Sequence, residues 1–384
     1  MNKLVTTLLI INCFFVVFSQ EDTTKRKSNL DELSLEELLN VKVYTASKKI
    51  ELIKDAPAII SVINSQEIHK IGAISLIDIL KYVPGFELSM GSDGNYRLAV
   101  RGSRKDGNIL VLLNGQQLND FYSGSAIYDL PADLIDRVEI IRGPGSALFG
   151  TNAISAVINV ITIENTSINA SAGIDGNINV NANLFVEKED GQLSMSAGFV
   201  QNNSNQNVVE EDKSYFQSWS LTNADKSFET NRWNKDLYFN TKYEKGNFHF
   251  QLFNIYRQRG SYVGPTFIAS PDSKYNRNQL LSSVHYNYKV GDNVIITPKL
   301  YYQHNFRDAM QQEAPDGYFS VISGDTFVNG KLSHEKYTNA TIGGEVTIYI
   351  KANEKFDFLT GSVYEDLRMN SYNLERNYQI TYKA

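Results

Sequence analysis

Two rhythms of apolar and polar positions divide the chain. In GNINVNANLFVE, residues Ile178, Val180, Ala182, Leu184 and Val186 share one face while Asn177, Asn179, Asn181 and Asn183 share the other, the alternation of a strand. QLSMSAGFV repeats it after a tight KEDG at 188–191, which predicts a hairpin. Six further strand-like runs follow: DLYFNTKYE, FHFQLFNIYR, SVHYNYKV, VIITPKLYYQHNF, ATIGGEVTIYIK and FDFLTGSVYEDL. Their connections also alternate. EKGN at 244–247, GDN at 291–293 and KANE at 351–354 are short, whereas 201–232, 258–277 and 308–334 are long and polar. Strands of about ten residues, with short turns at one end and long loops at the other, predict an outer-membrane β-barrel rather than a soluble sandwich.

The earlier part of the chain reads differently. APAIISVIN is a short β-rich run, and SQEIHKIGAISLIDILKYVPGFEL keeps an approximate helical period through Ile68, Ile71, Ile74, Ile77 and Leu80 or Val83 until Pro84 and Gly85 stop it. YRLAVRGSR, NILVLLNGQQL, a helix-sized LPADLID and VEIIRG complete an α+β unit of small mixed sheet and helices at 54–163. A barrel region follows at 164–384. Before both, Lys3 and the apolar run Leu4–Phe18 ahead of Ser19 read as a signal peptide at 1–19, leaving 20–53 as an N-terminal segment.

Composition narrows the function. With 37 Lys+Arg against 43 Asp+Glu and a net charge of −6, the chain has no basic stripe and is not read as a nucleic-acid binder. Cys13, within the signal peptide, is the only cysteine, so disulfides and thiolate metal sites are excluded from the exported part. The five histidines are scattered without a metal-ligand pair, and no nucleophile elbow occurs, so neither an enzyme nor a metal or cofactor site is expected. An exported adhesin or passive porin is the alternative class, and an exported enzyme the remotest.

The stretch RVEIIRGPGSALFG, 137–150, has the outline of a phosphate loop without its chemistry. Leu148 stands where a dinucleotide motif needs its third glycine, and the phosphate lysine of a Walker loop is missing. Geometry explains it instead: Gly143, Gly145 and Gly150 permit close backbone approach, as does Gly102 after the LAVR run, and Pro144 fixes a turn.

In combination and order, DAPAIISVINSQEIHKIGAISLIDILKYVPGFEL, LAVRG, VLLNGQQLND and LIDRVEIIRGPGSALFGTNAISAVINVIT resemble the TonB-dependent outer-membrane receptors. Ser155 and Ala156 depart from that pattern, where the family often has glycines. The resemblance implies a plug inside a barrel of about 22 strands, monomeric in outer-membrane lipid, with plug and N-terminus on the periplasmic side. It implies active uptake of a scarce nutrient, a ferric siderophore first and cobalamin or an oligosaccharide as alternatives. VKVYTAS, that is Val41, Lys42, Val43, Tyr44, Thr45, Ala46 and Ser47, resembles the TonB box, which adds a strand to TonB. Arg101 and Arg142, with Glu139 nearby, match arginines that face barrel carboxylates in the family, for which Glu345 and Glu365 are the candidates. Met90, Asp93, Phe121, Tyr122 and Tyr128, in the expected plug apices, are the candidates for substrate contact. From Glu164 onward about nine strands fit, too few to close around such a plug, so an unclosed curved sheet, unable to transport alone, is expected.

Overall fold

The computed structural model describes residues 42–43, 51–52 and 59–378, except 92, 174–175, 204–207, 210–227, 263–269, 271, 315, 321–323 and 354–355. The signal peptide therefore lies outside the described residues. So do Val41 and Tyr44–Ser47 of the VKVYTAS stretch. Its other two residues form strand β1 (Lys42–Val43), paired antiparallel with β2 (Glu51–Leu52).

A globular unit follows with strands β3 (Ile60–Asn64), β4 (Phe86–Met90), β5 (Tyr96–Val100), β6 (Ile109–Leu113), β7 (Gln116–Gln117), β8 (Ile135–Ile141) and β9 (Ala156–Thr162). Five of them make a mixed sheet in the order β3-β8-β9-β6-β7, parallel between β6 and β9, and β4 with β5 makes a separate hairpin. The predicted long helix is two short ones, Ser65–Lys70 and Leu76–Leu80. Asn64 caps the first through a capping box with Glu67, and Gly72, at φ 65°, ends it. The helix expected over LPADLID is instead a 3-10 turn, Ala132–Leu134, running straight into β8. Ile135, Val138 and Ile140 are β-branched and buried, and their backbone is claimed by β9 and β3 on either side. Leu76, Ile79, Leu80, Val111, Leu130, Val138, Ile158 and Val160 form the center of the core.

The rest is one open antiparallel sheet. Its strands are β10 (Ser167–Ala172), β11 (Ile178–Lys188), β12 (Gly191–Asn202), then, past the small pair β13 (Val208–Val209) and β14 (Phe228–Glu229), β15 (Asn234–Lys245), β16 (Phe248–Gly260) and β17 (Lys274–Tyr286). Next come β18 (Tyr288–Val290), β19 (Val294–Ala314), the small pair β20 (Tyr318–Phe319) and β21 (Thr326–Phe327), β22 (Lys331–Lys351) and β23 (Asp357–Arg376). Several strands run well beyond the apolar runs that announced them; β19 and β22 each reach 21 residues. They take in the ends of what reads as loop at 258–277 and 308–334, namely 258–260, 274–277, 308–314 and 331–334, because the backbone ladder continues after the apolar residues end. β10 and β23 are the two edges and do not pair with each other, so the sheet is a curved wall rather than a closed barrel.

The wall is inside out. Asn181, Asn183, Ser196, Asn240, Gln279 and Asn305 are buried against the globular unit, while Ile178, Val180, Leu184, Val186, Leu300 and Ile342 are exposed on the far face. That polarity suits lipid outside and a wet interior. One patch breaks it. Tyr238, Phe253, Ile255 and Leu281 face inward and join the apolar core of the globular unit, which would otherwise lie open on that side. The globular unit is thus a plug whose core is closed by the wall.

Candidate functional site

The seam between plug and wall is mostly polar. Wall amides reach plug carbonyls: Gln279 Nε2 donates to Leu118 O at 2.8 Å and Gln303 Nε2 to Asn119 O at 3.0 Å. Gln116 of the plug donates to Ser282 O and Tyr302 O, each at 3.1 Å, and accepts from Gln251 at 2.9 Å. Asp120 accepts from Tyr337 Oη at 2.8 Å and Asn339 Nδ2 at 3.0 Å, besides the Tyr122 backbone N–H at 2.8 Å. Each is an exchange that water can take over, so such a seam holds the plug in one register without welding it in place.

Charge is concentrated at one place on this seam. Cross-strand pairing lines up Asp236, Arg257, Arg277, Arg307 and Tyr337 in a single row over β15, β16, β17, β19 and β22. Period two also puts Arg259 beside Arg257 on the same face, and both are buried. Arg257 grips Asp236 through two nitrogens, at 3.2 Å and 3.0 Å, and reaches Asp129 of the plug at 2.6 Å. Arg259 meets the same Asp129 oxygen at 2.5 Å. Burial pushes the Asp129 carboxyl up, but Arg257 and Arg259 outweigh it and hold the group well below the usual carboxylate range. Tyr275 lies between Arg259 and Arg307, whose guanidinium carbons stand 5.6 Å and 5.5 Å from its ring centroid, and its hydroxyl donates to Asn95.

Beside this row lies a cavity of about 200 Å³. Its plug side consists of the β4–β5 turn and its flank (Asp93, Asn95, Tyr96 and Arg97), Asp106, and the segment carrying Ser123, Ser125, Tyr128 and Asp129. Arg257, Tyr275, Arg277 and Arg307 form its wall side. Burial pushes the Asp106 carboxyl up, against the pull of Arg97 and with the help of Asp93. Asp93 itself accepts from the backbone and the side chain of Asn95, at 3.2 Å and 2.7 Å.

Of the five residues expected to touch substrate, Asp93 and Tyr128 line this cavity. Met90 pairs with Tyr96 in the β4–β5 hairpin, and Tyr122 stacks edge-on against Tyr337 of the wall at 4.9 Å; these two and Phe121 are not among the lining residues. None of the charged residues expected at plug–wall contacts belongs to this row. Buried Glu139 pairs with Arg137 of the plug itself at 3.0 Å. Arg101 is exposed in a left-handed turn after β5 (φ 51°), and Arg142 follows β8, half-buried. Glu345 lies on β22, and Glu365 on β23 accepts from Tyr301 of the wall at 2.6 Å. At the row, the plug supplies the carboxylate and the wall the arginines. Sequence reading missed Asp129, Asp236, Arg257, Arg259, Arg277 and Arg307. Parity along FHFQLFNIYRQRG does place both of its last arginines on one face, but nothing local names Asp129 as their partner.

The glycines behave as geometry requires. Gly102, Gly143 and Gly150 have φ of 80°, 150° and 72°. Gly145 has no such angle; a Cβ there would come within 2.6 Å of Val157 Cγ2, so this glycine serves close packing of the turn against β9.

Comparison with known proteins agrees with this arrangement. Residues 53–157 match the TonB-dependent receptor plug domain. A vitamin B12 transporter, BtuB of Vibrio vulnificus (strain CMCP6), is 34% identical over 165 residues, which are 41% of this chain and 27% of that protein. The siderophore receptor PiuA of Acinetobacter baumannii superposes with a TM-score of 0.59 at 17% identity, over 86% of this chain and 48% of its own. BauA, the ferric preacinetobactin receptor of the same organism, gives 0.62 at 11% identity, over 88% and 50%. The chain thus spans about half the length of these structures, and its match to the transporter takes in about a quarter of that relative.

Proposed function

We propose that this chain, which carries the plug domain of the TonB-dependent receptors on a wall of outer-membrane type, serves in active uptake of a scarce nutrient across an outer membrane. The observation that carries the reading is the combination of that plug with a sheet polar toward it and apolar away from it. A seam made of amide-to-carbonyl hydrogen bonds supports a plug that rearranges when pulled. The pull enters through VKVYTAS as an added strand on TonB; β1 already takes strand form, on β2. Ligand enters from the loop side, where the cavity lies. The favoured substrate is a ferric chelate of the siderophore kind, supported by the arginines of that cavity. Cobalamin is the second reading, on the strength of the match to the vitamin B12 transporter.

One substitution tests the coupling. Val43→Pro removes a ladder N–H from the center of the added strand. Energised uptake is expected to vanish while ligand binding persists. Full-rate uptake by the variant would overturn the receptor reading. Growth under iron limitation with a panel of ferric chelates, and under cobalamin limitation, separates the two substrates.

A further inference from the structure

At the short-turn end of the wall, strand register places Glu244, His249, His285, Lys299 and Glu345 in one row over β15, β16, β17, β19 and β22. The row faces the plug. Lys299 Nζ donates to Gly115 O, in the turn between β6 and β7, at 3.3 Å, and Gln251, on the same face as His249, donates to Gln116. The two imidazoles stand directly opposite each other and stack, with centroids 4.3 Å apart and planes 9° from parallel. Their ring nitrogens therefore point side by side and do not converge as ligands of one metal ion would. The surroundings seat the neutral pair instead. Asn287 Oδ1 accepts from Thr297 Oγ1 at 2.9 Å, which turns the Asn287 amide N–H onto His249 Nε2 at 3.1 Å. Nε2 is thus the acceptor, and Nδ1 carries the proton, 3.6 Å from Glu244 Oε1. That carboxylate is shared. Lys242 pairs with Glu244 at 3.4 Å and also with Glu164, two places past β9, where the plug runs into the wall. Nearby too are Asp136 of the plug, paired with Arg137 at 3.2 Å, and Glu187 on β11, which accepts from Gln192 beside Glu244.

We infer that His249 and His285 form a pH-sensitive clasp: the neutral stack lets Lys299 and Lys242 hold the plug at Gly115 and Glu164, and the doubly charged pair loosens both holds. One added proton is accommodated, because Glu244 stands beside His249. The second is not. Two stacked imidazolium rings, with the Lys299 ammonium on the other flank of His285, put three positive charges in consecutive places of one row, and Glu345 stands one strand further off. The stack opens and drives Lys299 from Gly115 O. Charged His249 also competes with Lys242 for Glu244, and its new Nε2 N–H faces the amide N–H of Asn287. Both rings are half-buried, so protons reach them from water. Histidine ordinarily titrates between about pH 5 and 8, so the hold is complete above that range and is lost as pH falls through it. The clasp concerns only the contact of plug with wall and does not depend on the receptor reading.

Hydrogen–deuterium exchange of the full-length protein in detergent micelles tests the clasp, since the intrinsic pH dependence of amide exchange cancels when parent and variant are compared at one pH. His249→Gln and His285→Gln each keep a polar side chain and leave at most one imidazolium. At pH 7.5 both variants are expected to match the parent throughout the plug. At pH 5 the parent is expected to exchange roughly 5-fold or more faster than either variant in segments 109–118 and 158–166, with no difference in 76–80. The double variant is expected to do no more than either single one, a non-additivity that repulsion within a pair produces and lost packing does not. Exchange ratios that stay the same at both pH values, a difference spread over the whole plug, additive single variants, or variants already loosened at pH 7.5 would each overturn the inference. Neither Val43 nor uptake enters this readout, so failure of the clasp and failure of the receptor reading are told apart.

Discussion

Plug and wall are built from the same backbone ladder with opposite polarity. In the plug, Ile79, Leu80, Val111 and Val160 turn inward, as in any water-soluble domain. The wall turns Asn181, Asn183, Ser196 and Asn240 inward and leaves Ile178, Val180 and Leu184 outside. The difference teaches where each piece finds its stability. The plug draws on burial of apolar surface, part of it completed by Phe253 and Ile255 of the wall. The wall draws on strand pairing and on surroundings that accept its apolar face.

The sharpest way to break this comparison is one charge on each side of it. Val160→Asp puts an unpaired carboxylate where the parent residue is fully buried, a cost of about 4 kcal/mol or more. The plug is expected to become protease-sensitive. Val180→Asp, on the outer face, is expected to weaken membrane assembly while the plug stays resistant, and equal proteolysis of the two variants would erase the distinction.

Next in size is the contact where the two regions exchange charge. Asp129→Asn leaves Arg257 and Arg259 short of a counter-charge, with an expected cost of about 3–5 kcal/mol in denaturant unfolding. The folded carboxyl lies below its ordinary value of 3.8, so its stabilisation is fully present above that value and is lost as pH falls through the lower folded one. An acid titration of stability in parent and variant should therefore converge only in strong acid. A gap that closes near neutrality would remove Asp129 from the seam.

Gly145→Ala tests packing within the plug alone. The added methyl meets Val157 Cγ2 at 2.6 Å, and about 1–3 kcal/mol of plug stability should be lost with the wall unaffected. Smallest is Asp106→Asn. Burial raises this carboxyl, so its contribution is present in acid and lost as pH rises through the folded value. The amide variant is expected to melt higher than the parent at pH 7 and by a smaller margin at pH 4. A larger gain in acid would reverse the sign of the effect.

Much of this was legible before folding. The alternation in GNINVNANLFVE put its asparagines on one face, and they face the plug; IIRGPGSALFG announced tight turns, and the positive φ of Gly143 and Gly150 supplies them. Less legible were the ends of elements and the long-range partners. LPADLID reads as helix by composition, but two neighboring strands claim Ile135–Ile141. Arg101, Glu139 and Arg142 were singled out for their motif positions, yet a motif carries no information about what stands opposite it. Glu139 found Arg137, two residues away.

Sequence by itself determined the alternation of each strand, the apolar content of the plug, the places where only glycine fits and the likeness to a plug family, because these follow from local geometry and from residue type. Only the tertiary structure decided that Asp129 meets Arg257 and Arg259, 130 residues away in the case of Arg259, that Phe253 and Ile255 close the plug's core, and that three arginines share one row. Those facts depend on register between strands and on how the plug docks against the wall. Pairing energies of that kind are set by position in space, which no local pattern of residues encodes.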